Sequence, residues 1–320
     1  MRRARVRAVL SVLALGLALP AAAAETRVVA TVAMVGDLAR AVAGECAQVD
    51  VLMGPGIDPH LYAPRPSDLR LLRDADLVLH VGLGLEGRFG ALLGQMGPAA
   101  LAVAEALPEG AVVTGPEGGP DPHLWMDPAL WAGTIGPMAD AMAALAPGCA
   151  ADMAARADAL GAELAALDGW VAAGIATIPE PARVLVTAHD AFGYFARRYG
   201  LEEAALQGFS TEAEASIADI SETAALVIAR GVPAVFVETT VNPRAVAALT
   251  EAVAAQGGSV AIGPELYSDA MGDPATPEGS YVGMIRHNAL AIISALGGTP
   301  APWPEALGPW AARQGIANGG

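Results

Sequence analysis

The chain has 320 residues, 54% of them apolar, and carries a formal charge of −16 from 34 acidic and 18 basic side chains. None of the basic residues is lysine. So acidic a chain excludes nucleic acid and anionic membrane as natural partners, and its length allows two modest domains.

Arg2, Arg3, Arg5 and Arg7, an apolar run over 9–19 and the small residues Ala22, Ala23 and Ala24 read as a secretory signal cleaved near Ala24. The run is too short to span a bilayer comfortably, and no other segment is long and apolar enough to do so. No cysteine follows the cleavage site to carry a lipid anchor. A soluble protein exported across the inner membrane of a Gram-negative bacterium into the periplasm is expected. In that oxidising compartment Cys46 and Cys149 suggest one disulfide, with two separate buried thiols as the alternative.

In the first half, residues 28–31 read as a strand and 35–42 as a helix. A second strand, 49–53, ends at Gly54-Pro55-Gly56. Ser67 is placed to cap a helix over 68–73. A third strand covers 77–81, a helix 85–96 and a short strand 100–104. Gly82, Gly84 and Gly87 make a tight turn rather than a phosphate loop. A Gly/Pro-rich loop then carries DPHLWMDP, before a helix over 128–145.

Residues 150–178 are rich in Ala, Leu, Asp and Glu with helical periodicity. As one helix they span roughly 40 Å, and Pro179 and Pro181 end it. This rigid connector divides the chain after the signal into an N-terminal lobe, 25–149, and a C-terminal lobe, 179–320. The second half repeats the theme, with strands over 183–187, 204–206, 234–238 and 260–262. Helices are expected over 191–199, 217–229, 244–256 and 281–296. The alternation predicts an α/β fold of two lobes, each a mostly parallel sheet flanked by helices.

Only five histidines occur, and three lie at strand ends or in the loops beyond them: His60 in DPHLYAPRPSD, His123 in DPHLWMDP and His189 in VTAHDAFGYF. Asp269, in LYSDAMG, has the same kind of setting. Ligands of open α/β sheets bind beyond the carboxyl ends of strands. Three imidazoles and a carboxylate, two side chains from each lobe, make a cage for one divalent transition metal.

The sequence resembles the metal-binding solute receptors of bacterial ABC importers, the TroA-like group that delivers zinc or manganese. The resemblance covers most of the mature chain. It rests on GIDPHLYAPRPSD, ADLVLHVGLGLEG, DPHLWMDP, AHDAFGYFARRYG, TEAEAS at 211–216, and ELYSDAMG followed by GSYVGMIRHN. It implies two α/β lobes joined by one long helix, with His60, His123, His189 and Asp269 as metal ligands. Two departures bear on the metal. Residues 107–122 hold none of the histidines that zinc-dedicated members often carry there, and His189 stands where manganese- or iron-selective members often have Glu. Zn²⁺ suits the donor set and binds nitrogen donors more tightly than Mn²⁺, yet both metals stay open.

Other polar residues receive plainer readings. His80 is a core or supporting side chain, His287 makes a structural hydrogen bond, and Arg286 either orients Asp269 or forms a surface ion pair. Glu214 and Glu238 lie near the cleft without ligating. Asp190 is an N-cap, Asp121 and Asp127 are turn and helix-start residues, and Trp125 and Trp131 keep the site dry.

The expected function is a monomeric periplasmic receptor that catalyses nothing and passes Zn²⁺ or Mn²⁺ to an inner-membrane ABC permease. The rival is a zinc metallohydrolase, which needs an open coordination position. No HExxH helix or GxSxG elbow supports it. A surface adhesin, the third class, lacks a lipid anchor.

Overall fold

A computed structural model describes residues 26–115 and 118–316; the expected signal, 1–24, lies outside them. The N-terminal lobe is built on β1 (Thr26–Val32), β2 (Ala47–Met53), β3 (Leu77–His80) and β4 (Ala100–Ala102). All pair in parallel, in the order β2-β1-β3-β4. Residues 28–32 are buried on both faces of the sheet, which is why β1 reads as a nearly continuous apolar run, broken only by Thr31, rather than an alternating one. The helices are α1 (Ala33–Ala43), α2 (Pro66–Arg73), α3 (Gly90–Gln95), α4 (Pro128–Trp131) and α5 (Ile135–Leu145).

The C-terminal lobe repeats this order. Strands β5 (Val184–His189) and β6 (Glu202–Gln207) pair in parallel, as do β7 (Ala234–Val235) and β8 (Ala261–Ile262). The Phe236 N–H donates to the Val186 carbonyl at 2.9 Å and joins the two ribbons in the sequence β6-β5-β7-β8. Around them lie α7 (Gly193–Tyr199), α8 (Ile217–Arg230), α9 (Arg244–Ala255), α10 (Tyr281–Ala295) and α11 (Gly308–Arg313).

The long helix α6 (Ala150–Ile175) stands between these groups, and its 26 residues measure about 39 Å. Leu164, Leu167, Val171, Gly174 and Ile175 recur at helical spacing and are buried, a stripe that faces the core. Gly174 permits the closest approach: a Cβ there would lie 2.5 Å from Ile293 on α10. Helix α6 packs against α1, α5 and α10, so one continuous apolar core runs from both sheets through the connector. Truncating Leu167 in such a core costs about 2–5 kcal/mol.

Several boundaries depart from the sequence reading. Pro66, not Ser67, opens α2: the Asp68 carboxylate accepts the Arg65 N–H at 2.6 Å and the Tyr62 hydroxyl at 2.7 Å. The helix expected over 128–145 is interrupted by a 3-10 turn at Ala132–Thr134, where the Thr134 hydroxyl donates to the Trp131 carbonyl. The stretch expected over 85–96 likewise begins as a 3-10 turn, Gly87–Phe89. The turn before it is as tight as its glycines imply, with Gly82 and Gly84 both at φ 87°. Cys46 and Cys149 are joined in a disulfide that ties the start of β2 to the start of α6.

Candidate metal centre

Each candidate donor lies at or beyond the carboxyl end of a strand. His60 is in the loop between β2 and α2, and His123 in the loop that follows β4. His189 is the last residue of β5 itself, two positions earlier relative to the strand end than the sequence suggested. Asp269 follows Leu266, which pairs with Glu238 in an isolated parallel bridge just past β7 and β8.

The fold brings all four together. One donor atom from each of His60, His123, His189 and Asp269 lies within 4.8 Å of the others. Every imidazole presents Nε2 to the Asp269 carboxylate, at 3.6 Å for His60, 3.3 Å for His123 and 3.2 Å for His189. All four side chains are buried. The three Nε2 atoms and both Asp269 oxygens have no hydrogen-bond partner. Buried polar atoms left unpaired are costly, and these four side chains together form a donor set that could hold a metal ion. A tetrahedral ion with bonds of about 2.0–2.2 Å sets its donors roughly 3.3–3.6 Å apart, close to the three distances from Nε2 to the Asp269 carboxylate.

The neighbours of the rings fix which nitrogen is free. Asp121 Oδ1 accepts both the backbone N–H of His123, at 2.9 Å, and its Nδ1, at 2.8 Å. Glu238 holds His189 through two oxygens: Oε1 accepts the backbone N–H at 2.9 Å, and Oε2 makes a close ionic contact with Nδ1 at 2.5 Å. With Nδ1 carrying the proton, the Nε2 lone pair points at the centre. Trp125 closes one side: its ring meets His123 at 5.3 Å and its indole N–H donates to the Ser268 carbonyl at 2.9 Å. The Tyr281 hydroxyl donates to the Trp125 carbonyl at 2.7 Å.

Residues 28–295 match the family described as the periplasmic zinc-uptake complex component A. The chain belongs to that family. The zinc-binding protein TroA of Treponema pallidum is 42% identical over 271 residues, covering 84% of this chain and 88% of its own. The manganese-binding lipoprotein MntA of Bacillus subtilis is 40% identical over 275 residues, covering 85% and 90%. The solved structure of the Treponema pallidum zinc-binding protein is similar at a TM-score of 0.83 with 41% identity, over 85% of this chain and 99% of that one. The zinc-uptake component A family is one of binding and transport rather than of catalysis.

The charges of this family member's centre are tightly linked. Burial pushes His123 down, but the Asp121 and Asp269 carboxylates outweigh it and hold the ring up at about 9. Burial likewise works against the charged form of His189, and Glu238 and Asp269 carry it well above the ordinary histidine range. At His60 burial prevails and the ring is lowered. Burial alone would raise Asp269, yet His189 and His123 hold it well below the usual carboxylate range.

The remaining sequence candidates fall around this centre. His80 lies 3.8 Å from Glu86, a buried carboxylate that also accepts from Val81 N–H, Gly82 N–H and the Thr31 hydroxyl. That arrangement braces the turn whose Gly87 abuts His60: a Cβ there would sit 2.4 Å from the His60 carbonyl. His287 Nε2 is 2.9 Å from the Glu265 carbonyl, and the Arg286 guanidinium lies over the Trp303 ring at 5.4 Å. Asp127 caps α4, as read. Asp190 is not an N-cap, because α7 begins only at Gly193 after Phe192. It faces Asp121 and Glu203 instead, and burial with the Asp190 charge pushes Glu203 up to about 8. Glu86 has no motif that a sequence reading could detect, and neither does the grip of Glu238 on His189.

Proposed function

We propose that this chain is a periplasmic receptor that binds one divalent transition metal ion through His60, His123, His189 and Asp269 and delivers it to the membrane subunits of an ABC importer. The observation that carries the reading is the convergence of three unpartnered Nε2 atoms and one unpartnered carboxylate in a buried space of coordinating size. With Asp269 as the fourth donor, the tetrahedron has no open position for a reactive water. That closed shell favours capture over hydrolysis.

Three imidazoles and a carboxylate bind Zn²⁺ more tightly than Mn²⁺. Relatives at nearly equal identity are named for zinc and for manganese, so affinity and cargo are separate questions. The receptor acts as a monomer after its signal, 1–24, is removed, with lobes at 25–149 and 179–320 flanking the connector at 150–178. Elemental analysis of protein purified without added metal, followed by Zn²⁺ and Mn²⁺ titration, tests the reading. One equivalent of metal bound with Zn²⁺ preferred supports it; no stoichiometric uptake of either ion refutes it.

A further inference from the structure

His60 differs from the other donors in its surroundings. It borders a cavity of about 370 Å³, lined also by Gly84, Gly87, Arg88, Ser210 and Glu212, that opens to solvent. Its wall on one side is the turn braced by Glu86. On the other side stands the loop that follows β6 in the opposite lobe. Two contacts hold that loop across the cleft. Phe209 lies against the Gly115 backbone, where a Cβ would come within 1.7 Å of the ring, and its ring meets that of His123 at 6.3 Å. The Thr211 hydroxyl donates to Asp58 Oδ2 at 2.5 Å.

Asp58 is the link between that loop and the metal donor. Its other oxygen, Oδ1, accepts the backbone N–H of His60 at 2.8 Å. One carboxylate therefore fixes His60 from its own lobe and the covering loop from the other. Asp58 lies between β2 and α2 and Thr211 between β6 and α8, in opposite lobes, so this contact needs the lobes to be together.

We propose that Thr211 is a positioning residue that acts through Asp58 on His60, closing the solvent-facing side of the centre and setting the rate at which bound metal escapes. This rests on the metal-receptor reading above. A hydrogen bond to a charged group stabilises more than a neutral one, and this one exists only in the closed form. Its loss therefore falls on release more than on capture, because the four donors themselves are untouched.

The test compares the mature protein with Thr211→Val and Thr211→Ser. Each is loaded with Zn²⁺, and release into excess chromogenic chelator is followed by stopped flow. Association is measured separately, and hydrogen exchange over 208–214 is recorded on the metal-free proteins. The expected result is release faster by roughly tenfold or more in Thr211→Val, with association changed by less than about threefold. Thr211→Ser keeps the hydroxyl and should release at the native rate, and exchange in the loop should rise in Thr211→Val alone. Native release from Thr211→Val, or equally fast release from both variants, overturns the proposal while leaving the receptor reading intact. A native chain that takes up no Zn²⁺ overturns both.

Discussion

Glu238 holds His189 by two points at once, its Oε1 on the backbone N–H at 2.9 Å and its Oε2 beside Nδ1 at 2.5 Å. The contact fixes the position of the strand end and sets a carboxylate charge beside the ring. Glu238→Gln preserves the size of the side chain but can place an amide N–H against Nδ1. The proton is then driven to Nε2, where it blocks the metal. We expect metal affinity to fall by roughly 10–100-fold, measured by competition with a chelator of known affinity.

Removing a donor should cost more than removing its support. His60→Ala and His189→Ala should each weaken Zn²⁺ binding by more than about 100-fold, beyond the range usual for supporting groups. His287→Ala, at a ring bonded to the Glu265 carbonyl, should leave binding near native. Isothermal titration of the purified variants decides this; equal losses in all three would remove the assignment.

Metal must displace protons from the centre. His123 is held up at about 9 and His189 well above the ordinary range, so protons compete with a metal ion for these rings. Binding should release them, and affinity should rise as pH increases from 6.5 towards 9. Titration in buffers of different ionisation enthalpy measures the protons released.

The same shifts predict opposite behaviour for the metal-free protein. Raised folded-state values mean that the stability from the His123 and His189 pairings with carboxylates is complete below about pH 6.5; the His123 part is lost as pH rises through about 9, and the His189 part as pH rises through its own value, well above the ordinary histidine range. The depressed Asp269 contributes above the ordinary carboxylate value and loses that contribution only as pH falls through its lower folded one. The melting temperature of metal-free protein should therefore fall between pH 6.5 and 9.5 while that of Zn²⁺-loaded protein does not. Parallel melting curves at both pH values would count against the pairing described here.

The Cys46–Cys149 link spans 103 residues and lies at the amino end of β2, away from the strand ends that carry the donors. Loop-closure entropy for such a span is about 4.7 kcal/mol. Replacing both cysteines by serine should lower the unfolding midpoint in denaturant by an amount approaching that figure, with Zn²⁺ affinity changed by less than about threefold. Chemical unfolding and metal titration of the double variant separate the two effects.

The convergence of His60, His123, His189 and Asp269 was legible because each sits in a local pattern at or after a strand end, and such patterns survive in one dimension. The supporting carboxylates were not equally visible. Asp121 lies two residues from His123, and its backbone hydrogen bond is the turn interaction that its position suggests. Glu238 follows the two-residue strand β7, 49 residues from the ring it orients; nothing in its own neighbourhood signals that use. Asp190 was misread for the converse reason. Its place directly after a strand mimics a cap, but the chain takes a further bend through Phe192 before α7 begins. The repeated strand order of the two lobes was readable as alternation, whereas the bond from Phe236 to Val186 that joins β7 to β5 depends on tertiary contact.

Trp125 couples the two halves of the cage at one side chain, with its ring on His123 and its indole N–H on the carbonyl that precedes Asp269. Loading the cage alters the charge beside that ring and pulls on the group its nitrogen grips. Trp125 is thus placed to serve as a native optical probe, and its emission should change as the proposed cage fills and empties, without any attached dye.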